Sequence, residues 1–109
     1  MKPAKFRGSS LEDLRRFPQA AMRDVGYQLD RVQHGLMPAD WKPMPSVGRG
    51  VTELRVWGGP STFRVVYIAR MADAIYVLHC FQKKAQQTPR KDIAVATQRF
   101  KELLEELKG

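Results

Sequence analysis

Apolar residues recur at helical spacing in the N-terminal part of the chain. They stand three or four positions apart, at Met22, Val25, Leu29 and Val32, which predicts a helix over residues 18–35. Pro18 suits the first turn of this helix, and Gly35 suits its C-terminal cap. A shorter helix is predicted before it, from an N-cap at Ser10 to about Phe17, so the two helices form a hairpin.

The C-terminal segment has a second helical pattern. Thr88 is the predicted N-cap, Pro89 occupies the first helical position, and the helix runs almost to Gly109. Its apolar positions are Ile93, Ala96, Phe100, Leu103 and Leu107. This spacing predicts one buried face.

Between these helical segments, apolar residues form three runs typical of strands. They are Val51–Trp57, Thr62–Ala69 and Ala74–Phe81, and their short connections predict an antiparallel meander. A short edge strand is predicted at residues 3–7, whereas residues 37–50 contain three prolines and two glycines and are predicted to be a loop. The predicted order is β-α-α-β-β-β-α, an α+β fold.

Composition adds a strong charge asymmetry. The 109 residues, a length that predicts a single domain over 1–109, carry a net charge of +8. Residues 42–91 hold nine basic and two acidic residues, a net +7, so the excess is concentrated there. Segregated positive charge favours a polyanion or an acidic partner; a basic surface that only maintains solubility is the alternative.

Residue counts and patterns exclude several kinds of site. The single cysteine, Cys80, allows no intramolecular disulfide and no cysteine-cluster zinc site, and the two histidines lack metal-ligand spacing. No cofactor is expected. No apolar stretch is long enough to span a membrane, and the first ten residues lack the apolar core of a signal peptide, so we expect a cytoplasmic protein without membrane contact.

Strand alternation brings several basic residues to one face of the predicted sheet. Glu53 and Arg55 share a face in the first meander strand, and Arg64 shares a face with apolar neighbours in the second. In a meander the end of the third strand lies beside the start of the second, so Lys83 and Lys84 can approach Arg64. We expect Arg55, Arg64 and at least one of the two lysines on one open concave surface that binds a phosphate.

Other interpretations of the same residues stay open at this point. The two lysines are often a solvated pair, and Arg55 can pair with Glu53 or with a carboxylate of a helix. His79 and Cys80 lie in an apolar run and are predicted to be core residues rather than reactive groups. Trp57 is either a core residue, the safer interpretation, or a platform for a stacked base.

Several motifs together are similar to those of a known family. They are Gly8–Arg15, Lys42–Met44, Gly50–Arg55, Phe63–Tyr67, Ile75–Lys84, Thr88–Pro89 and Asp92–Ala94. In this order and spacing the chain resembles the phage-derived HigB-like branch of the RelE/ParE toxin superfamily, over nearly its whole length. The resemblance implies a RelE-like fold, a twisted antiparallel sheet with two N-terminal helices and one C-terminal helix.

The resemblance implies the toxin of a type II toxin–antitoxin pair. HigB-like and RelE-like members cut mRNA, usually on the ribosome and without a metal, by attack of the ribose 2′-OH on the adjacent phosphate. The family's catalytic cations then fall on Arg55, Arg64, Lys83 and Lys84. RNA contacts are expected at Arg49, Arg90, Lys91 and Trp57.

The sequence matches the related toxins less well at the residues that would act as general acid and general base. Related toxins often carry a tyrosine, a histidine or an acidic residue near the C-terminal end, and residues 85–109 contain neither Tyr nor His. Proton transfer is therefore assigned to Glu53, to a lysine of lowered pKa, or to the ribosomal substrate. The alternative function is that of ParE-like members, which inhibit DNA gyrase, or of another non-catalytic binding toxin.

The same resemblance implies partners and a cellular setting. The expected protein partner is a cognate HigA-like antitoxin with a helix-turn-helix domain, and the expected RNA partner is mRNA on the ribosome. DNA would be reached only through the antitoxin. The setting would be the cytoplasm, and the protein would be prokaryotic or phage-encoded.

Overall fold

The computed structural model describes residues 1–59, 61–84 and 88–109. Within these ranges the chain forms β1 (Ala4–Phe6), α1 (Ser10–Arg15), α2 (Gln19–Gln33), β2 (Trp41–Pro43), β3 (Val51–Gly58), β4 (Ser61–Ile68), β5 (Ile75–Lys83) and α3 (Arg90–Lys108). This confirms the predicted α+β class and the order β-α-α-β-β-β-α, with one additional short strand.

The additional strand, β2, lies inside the segment predicted to be a loop, so that prediction is wrong for Trp41–Pro43. The strand pairs antiparallel with β3, with Lys42 opposite Glu53. Pro43 has no N–H group to donate, but β2 is at the edge of the sheet, where one side of the strand needs no partner. Three residues are too few to show an alternating pattern in the sequence.

The five strands form one sheet in the order β1-β5-β4-β3-β2. β1 is an edge strand, as predicted, and it runs parallel to β5, whereas the other three pairings are antiparallel. The β4–β5 register shifts between Val66 and Tyr67: Val66 lies opposite His79, and Tyr67 lies opposite Val77. The extra residue in β5, Leu78, forms a bulge that changes which side chains of β5 face each side.

Each face of the sheet carries a separate core. One face packs against α1 and α2 through Leu14, Val25, Leu29, Leu54, Val65 and Val77, among others. The other face packs against α3 through Val51, Val66, Ile68, Tyr76, Leu78, Ala96, Phe100 and Leu103. Arg55 and Arg64 share one face, as predicted from their strand positions, and this is the α3 face.

All three helices begin one residue away from the predicted position. The N-caps are Ser9 and Pro89, not Ser10 and Thr88, and Pro18 is the N-cap of α2 instead of lying in its first turn. Ser10 is buried, and its hydroxyl donates to the carbonyl of Val77. The C-cap of α2 is His34, one residue before the predicted Gly35, and Gly35, with a φ of 83°, follows it in a Schellman motif.

None of the helices in residues 1–59, 61–84 and 88–109 combines the length and the apolar character that crossing a membrane requires.

Candidate functional site

The α3 face of the sheet changes from apolar to charged along the strands. Residues directly opposite each other on antiparallel strands point to the same face, so the register defines rows of side chains. The row at the far end of β3 contains Trp57, Thr62 and Lys83; the next contains Arg55, Arg64 and Phe81; the third contains Glu53, Val66 and His79. We call Arg55, Arg64, Lys83, Glu53 and the neighbouring Lys42 the charged cluster.

Arg64 is at the centre of the charged cluster and is only 4% exposed. Its Nη1 donates a hydrogen bond to Oε1 of Glu53, which lies diagonally across the two strands. Its Nε donates to Oγ1 of Thr62 over 3.1 Å. Thr62 in turn donates to the backbone carbonyl of Lys83 over 3.3 Å. The guanidinium group is therefore held in one orientation by Glu53 of β3 and by Thr62 of its own strand, which is itself bonded to β5.

Glu53 is the counter-ion of this cluster and is completely buried. Its second oxygen, Oε2, accepts a hydrogen bond of 2.9 Å from the hydroxyl of Thr88, just before α3. The ammonium group of Lys42, on β2, lies 3.9 Å from Oε1. Both carboxylate oxygens are thus engaged within the chain. This arrangement fits a residue that positions cations better than one that takes a proton from a substrate.

Lys83 is a second buried cation, 2% exposed. Burial, and then repulsion by Arg64, lowers its pKa from the usual 10.5 to about 8, while Glu53 acts in the opposite direction. A lysine with a pKa near 8 is present in both protonation states close to neutral pH. Lys83 is therefore the residue of the cluster that is best suited to give or take a proton.

Arg55 is linked to the edge strand through Asp40. Its backbone N–H donates to the carbonyl of Asp40 over 2.9 Å, and its Nε lies 3.7 Å from Oδ1 of the same residue. The other carboxylate oxygen, Oδ2, accepts a hydrogen bond of 2.9 Å from Nε1 of Trp57. Trp57 itself is 67% exposed, so its interpretation as a core residue is wrong.

The expectation of an open surface is wrong for Arg64 and Lys83. Both lie on the predicted face, but Arg64 is paired with the buried carboxylate of Glu53, and Lys83 is enclosed beside it. Lys84, the next residue, is exposed. Alternation placed these residues on the right face but did not show that an acidic residue of the same face would neutralise them.

The other predicted RNA contacts are spread over a wider surface. Arg90 and Lys91 are exposed in the first turn of α3, close in sequence to Thr88. Arg49 is also exposed but precedes β3, so it lies at the opposite end of that strand from Trp57. A groove of about 340 Å³ lies beside the charged cluster and includes Lys42 and Thr88 in its lining.

His79 has a structural partner, as its interpretation as a core residue implies. Its Nε2 lies 2.7 Å from Oδ1 of Asp92 on α3, and its ring stacks on Phe81 at 5.0 Å between centroids. A carboxylate only accepts, so Nε2 carries the proton. The contact ties β5 to the start of α3. Cys80 is buried too, and burial raises the pKa of its thiol to about 12.

Sequence reasoning missed four residues of the site: Asp40, Lys42, Thr62 and Thr88. The position of Thr88 before a proline predicts a capping role, but its hydroxyl binds Glu53, 35 residues away. Asp40 had no role because the strand that follows it was not predicted. Among residues 1–59, 61–84 and 88–109, no group of three or more His, Cys, Asp or Glu side chains is placed to hold a metal ion.

The sequence also matches a known family over most of its length. Residues 12–101, which include the charged cluster and Trp57, match the family described as phage derived protein Gp49-like (DUF891). No curated protein shows a significant match to the chain. The chain therefore belongs to the phage-derived Gp49-like family, which is part of the RelE/ParE-like toxin superfamily.

Proposed function

We propose that the protein is the toxin of a type II toxin–antitoxin pair and that it inhibits translation by cutting mRNA on the ribosome, as HigB-like toxins do. Family membership suggests a RelE/ParE-type toxin, and some members of this group are ribonucleases. The observation that carries the proposal is the charged cluster, in which Arg64 and Lys83 are held side by side at the end of the sheet.

The cluster supplies what metal-independent cleavage of RNA requires. The ribose 2′-oxygen forms a bond to phosphorus as the bond to the 5′-oxygen breaks, which gives a 2′,3′-cyclic phosphate and a 5′-hydroxyl. Arg64 and Arg55 stabilise the negative charge that develops on the phosphate oxygens. Lys83, with its pKa near 8, exchanges a proton with the reacting oxygens. Glu53 occupies the anion side of Arg64, so the substrate phosphate must join or displace it.

One observation favours a second candidate, a toxin that binds without cutting. Arg64 and Lys83 are almost completely buried, and Glu53 already neutralises part of their charge. A site whose cations are already buried and partly neutralised suits tight binding to a protein target, such as the DNA gyrase that ParE-like members inhibit. In this case the charged cluster would stabilise the fold and orient the exposed residues around it.

A translation assay separates the two candidates. The purified protein is added to a bacterial cell-free translation reaction with a defined mRNA, and in parallel to a gyrase supercoiling reaction. We expect cleaved transcripts with 5′-hydroxyl ends, and unchanged supercoiling. Intact mRNA combined with inhibited gyrase would reject the proposal in favour of the alternative.

The proposed antitoxin is a small helix-turn-helix protein of the HigA type. It would bring acidic groups to the basic surface of residues 42–91, or contact the first two helices. Tyr27, Leu36 and Met37 are exposed on and after α2 and provide apolar area for such a contact. Because the contact is charge-assisted, association should be fast and sensitive to salt. Co-purification with the product of the neighbouring gene tests this partner.

A further inference from the structure

An exposed tryptophan stands at the edge of the charged cluster in a fixed orientation. Trp57 exposes 67% of its surface, although a large apolar side chain is normally covered in a protein of this size. Its indole N–H donates to Oδ2 of Asp40 over 2.9 Å. Its polar atom is therefore satisfied within the chain, and what remains accessible is the flat apolar face of the ring.

Asp40 holds the ring because it is itself held. Its backbone carbonyl accepts the N–H of Arg55 over 2.9 Å, which fixes Asp40 against β3. Its side chain then spans two residues of the same strand face, with Oδ1 3.7 Å from Nε of Arg55 and Oδ2 bonded to Trp57. An exposed side chain fixed in this way loses little further conformational freedom when a ligand binds to it.

The surroundings of Trp57 indicate the chemistry of the ligand. Thr62 and Lys83, which are both buried, share its row, and the partly exposed Arg55 lies in the next row, so polar and cationic groups lie beside the ring. A ligand that fits must offer a flat π face next to negative charge. Single-stranded nucleic acid has both, because its bases are free to stack on aromatic rings while its phosphates bind cations. Bases in a duplex are already stacked and are not free to do so.

We propose that Trp57 is the stacking platform for one unpaired base of single-stranded RNA, and that Asp40 is its positioning residue. The choice of RNA rests on the proposed function; the stacking contact is tested without cleavage. A base stacked on Trp57 places its phosphate towards Arg55, so the platform sets which nucleotide reaches the charged cluster. It makes the site selective for unstacked, single-stranded RNA.

The first experiment follows the ring itself. The chain has two tryptophans, so Trp41→Phe leaves Trp57 as the single tryptophan reporter. This variant is titrated with an RNA hexamer, and separately with the same hexamer annealed to its complement. We expect strong quenching of Trp57 fluorescence by the single strand and much weaker quenching by the duplex. Equal quenching by both would overturn the proposal.

The second experiment measures affinity by the anisotropy of a labelled hexamer. Trp57→Ala should weaken binding by about 5- to 150-fold, and Trp57→Phe should retain most of the affinity. Stacking releases no counterions, so the slope of log K against log salt should not change. The matched control is Tyr27→Ala, because Tyr27 is similarly exposed, at 62%, but lies on α2. Unchanged affinity in Trp57→Ala, or an equal loss in Tyr27→Ala, would reject the platform.

Variants of Asp40 test the positioning role. Asp40→Ala removes the acceptor of the indole N–H and should reduce both quenching and affinity, whereas Asp40→Asn keeps an acceptor and should restore most of both. A loss of thermal stability without a change in quenching would contradict this role.

The outcomes also separate this proposal from the proposed function. Stacking on Trp57 without any cleavage of mRNA would support the platform and reject the ribonuclease. Cleavage of mRNA together with full RNA affinity in Trp57→Ala would support the ribonuclease and reject the platform. Quenching by the antitoxin but not by RNA would reject the platform.

Discussion

The two ends of the α3 face of the sheet are stabilised by different kinds of interaction. At the end near Val51 and Ile68, the face is apolar and is covered by Phe100 and Leu103 of α3. At the other end, the same strands carry the charged cluster. Since α3 begins only at Arg90, hydrogen bonds and ion pairs from Glu53 and Thr88 take the place of helix packing there.

The two ends differ in what their burial contributes to stability. Burying apolar side chains stabilises a fold directly. Burying charged groups is costly even when they are paired, and a well-packed apolar replacement is often equally stable. The proposed function accounts for the burial of Arg64 and Lys83, because it uses the charge of both residues. Substitutions at the two ends should therefore differ in their effects on stability and RNA binding.

Removing Glu53, the counter-ion of the charged cluster, should cause the largest loss of stability. Glu53→Gln leaves Arg64 buried beside Lys83 without the carboxylate that neutralises it, and we expect a loss of about 3–5 kcal/mol in the free energy of unfolding. Urea denaturation monitored by circular dichroism measures it. The control is Glu105→Gln, an exposed residue of α3, which should stay within about 0.5 kcal/mol of wild type. A loss below about 1 kcal/mol for Glu53→Gln would contradict the role of this residue.

A cavity at the apolar end should lower the stability of the protein. Leu103 is 1% exposed, and Leu103→Ala should lower the free energy of unfolding by about 2–5 kcal/mol through lost burial and an unfilled space. Below the unfolding transition, the variant should bind RNA with unchanged affinity because Leu103 is remote from the cluster. Reduced RNA affinity in the folded variant would show that the two ends are not independent.

The pH dependence of stability should differ between the ends. The pKa of Lys83 is about 8 in the folded protein and near 10.5 when unfolded, so between these values the unfolded state binds more protons. The contribution of Lys83 therefore makes the free energy of unfolding rise with pH above about 8. Lys83→Met should lack this rise, as measured by the difference from wild type at pH 8 and pH 10. A parallel pH dependence in wild type and variant would contradict the lowered pKa.

The salt dependence of RNA binding gives the smallest effect. Arg55→Gln should weaken binding and lower the magnitude of the slope of log K against log salt by about 0.7, if Arg55 contacts one phosphate. Leu103→Ala should leave this slope unchanged. An unchanged slope in Arg55→Gln would show that Arg55 makes no phosphate contact.

The sequence predicted the arrangement of the elements better than the environment of the site. Helical and alternating periodicities are local, so they predicted the element order and the shared face of Arg55 and Arg64, but not that α3 packs on this face. The pairing of Arg64 with Glu53 is diagonal across two strands, and Thr88 reaches Glu53 from 35 residues away. Such contacts depend on register and on where α3 begins, which no local pattern contains.

The exposure of Trp57 illustrates the same limit. A tryptophan at the end of an apolar strand is normally part of the core, but this one is 67% exposed. Its bond to Asp40 depends on β2, a strand of three residues without a sequence signal.

The central claim is that Arg64 acts on the phosphate during cleavage, and mapping of RNA ends tests it most directly. The protein is added to a translation reaction, and 2′,3′-cyclic phosphate ends are counted at one codon of a defined mRNA. Removal of a preorganised charge donor typically costs about 10²- to 10³-fold in rate, so we predict a loss of this size in Arg64→Gln. The exposed control Lys101→Gln should cut like wild type. Equal cleavage by folded Arg64→Gln and wild type would contradict the account.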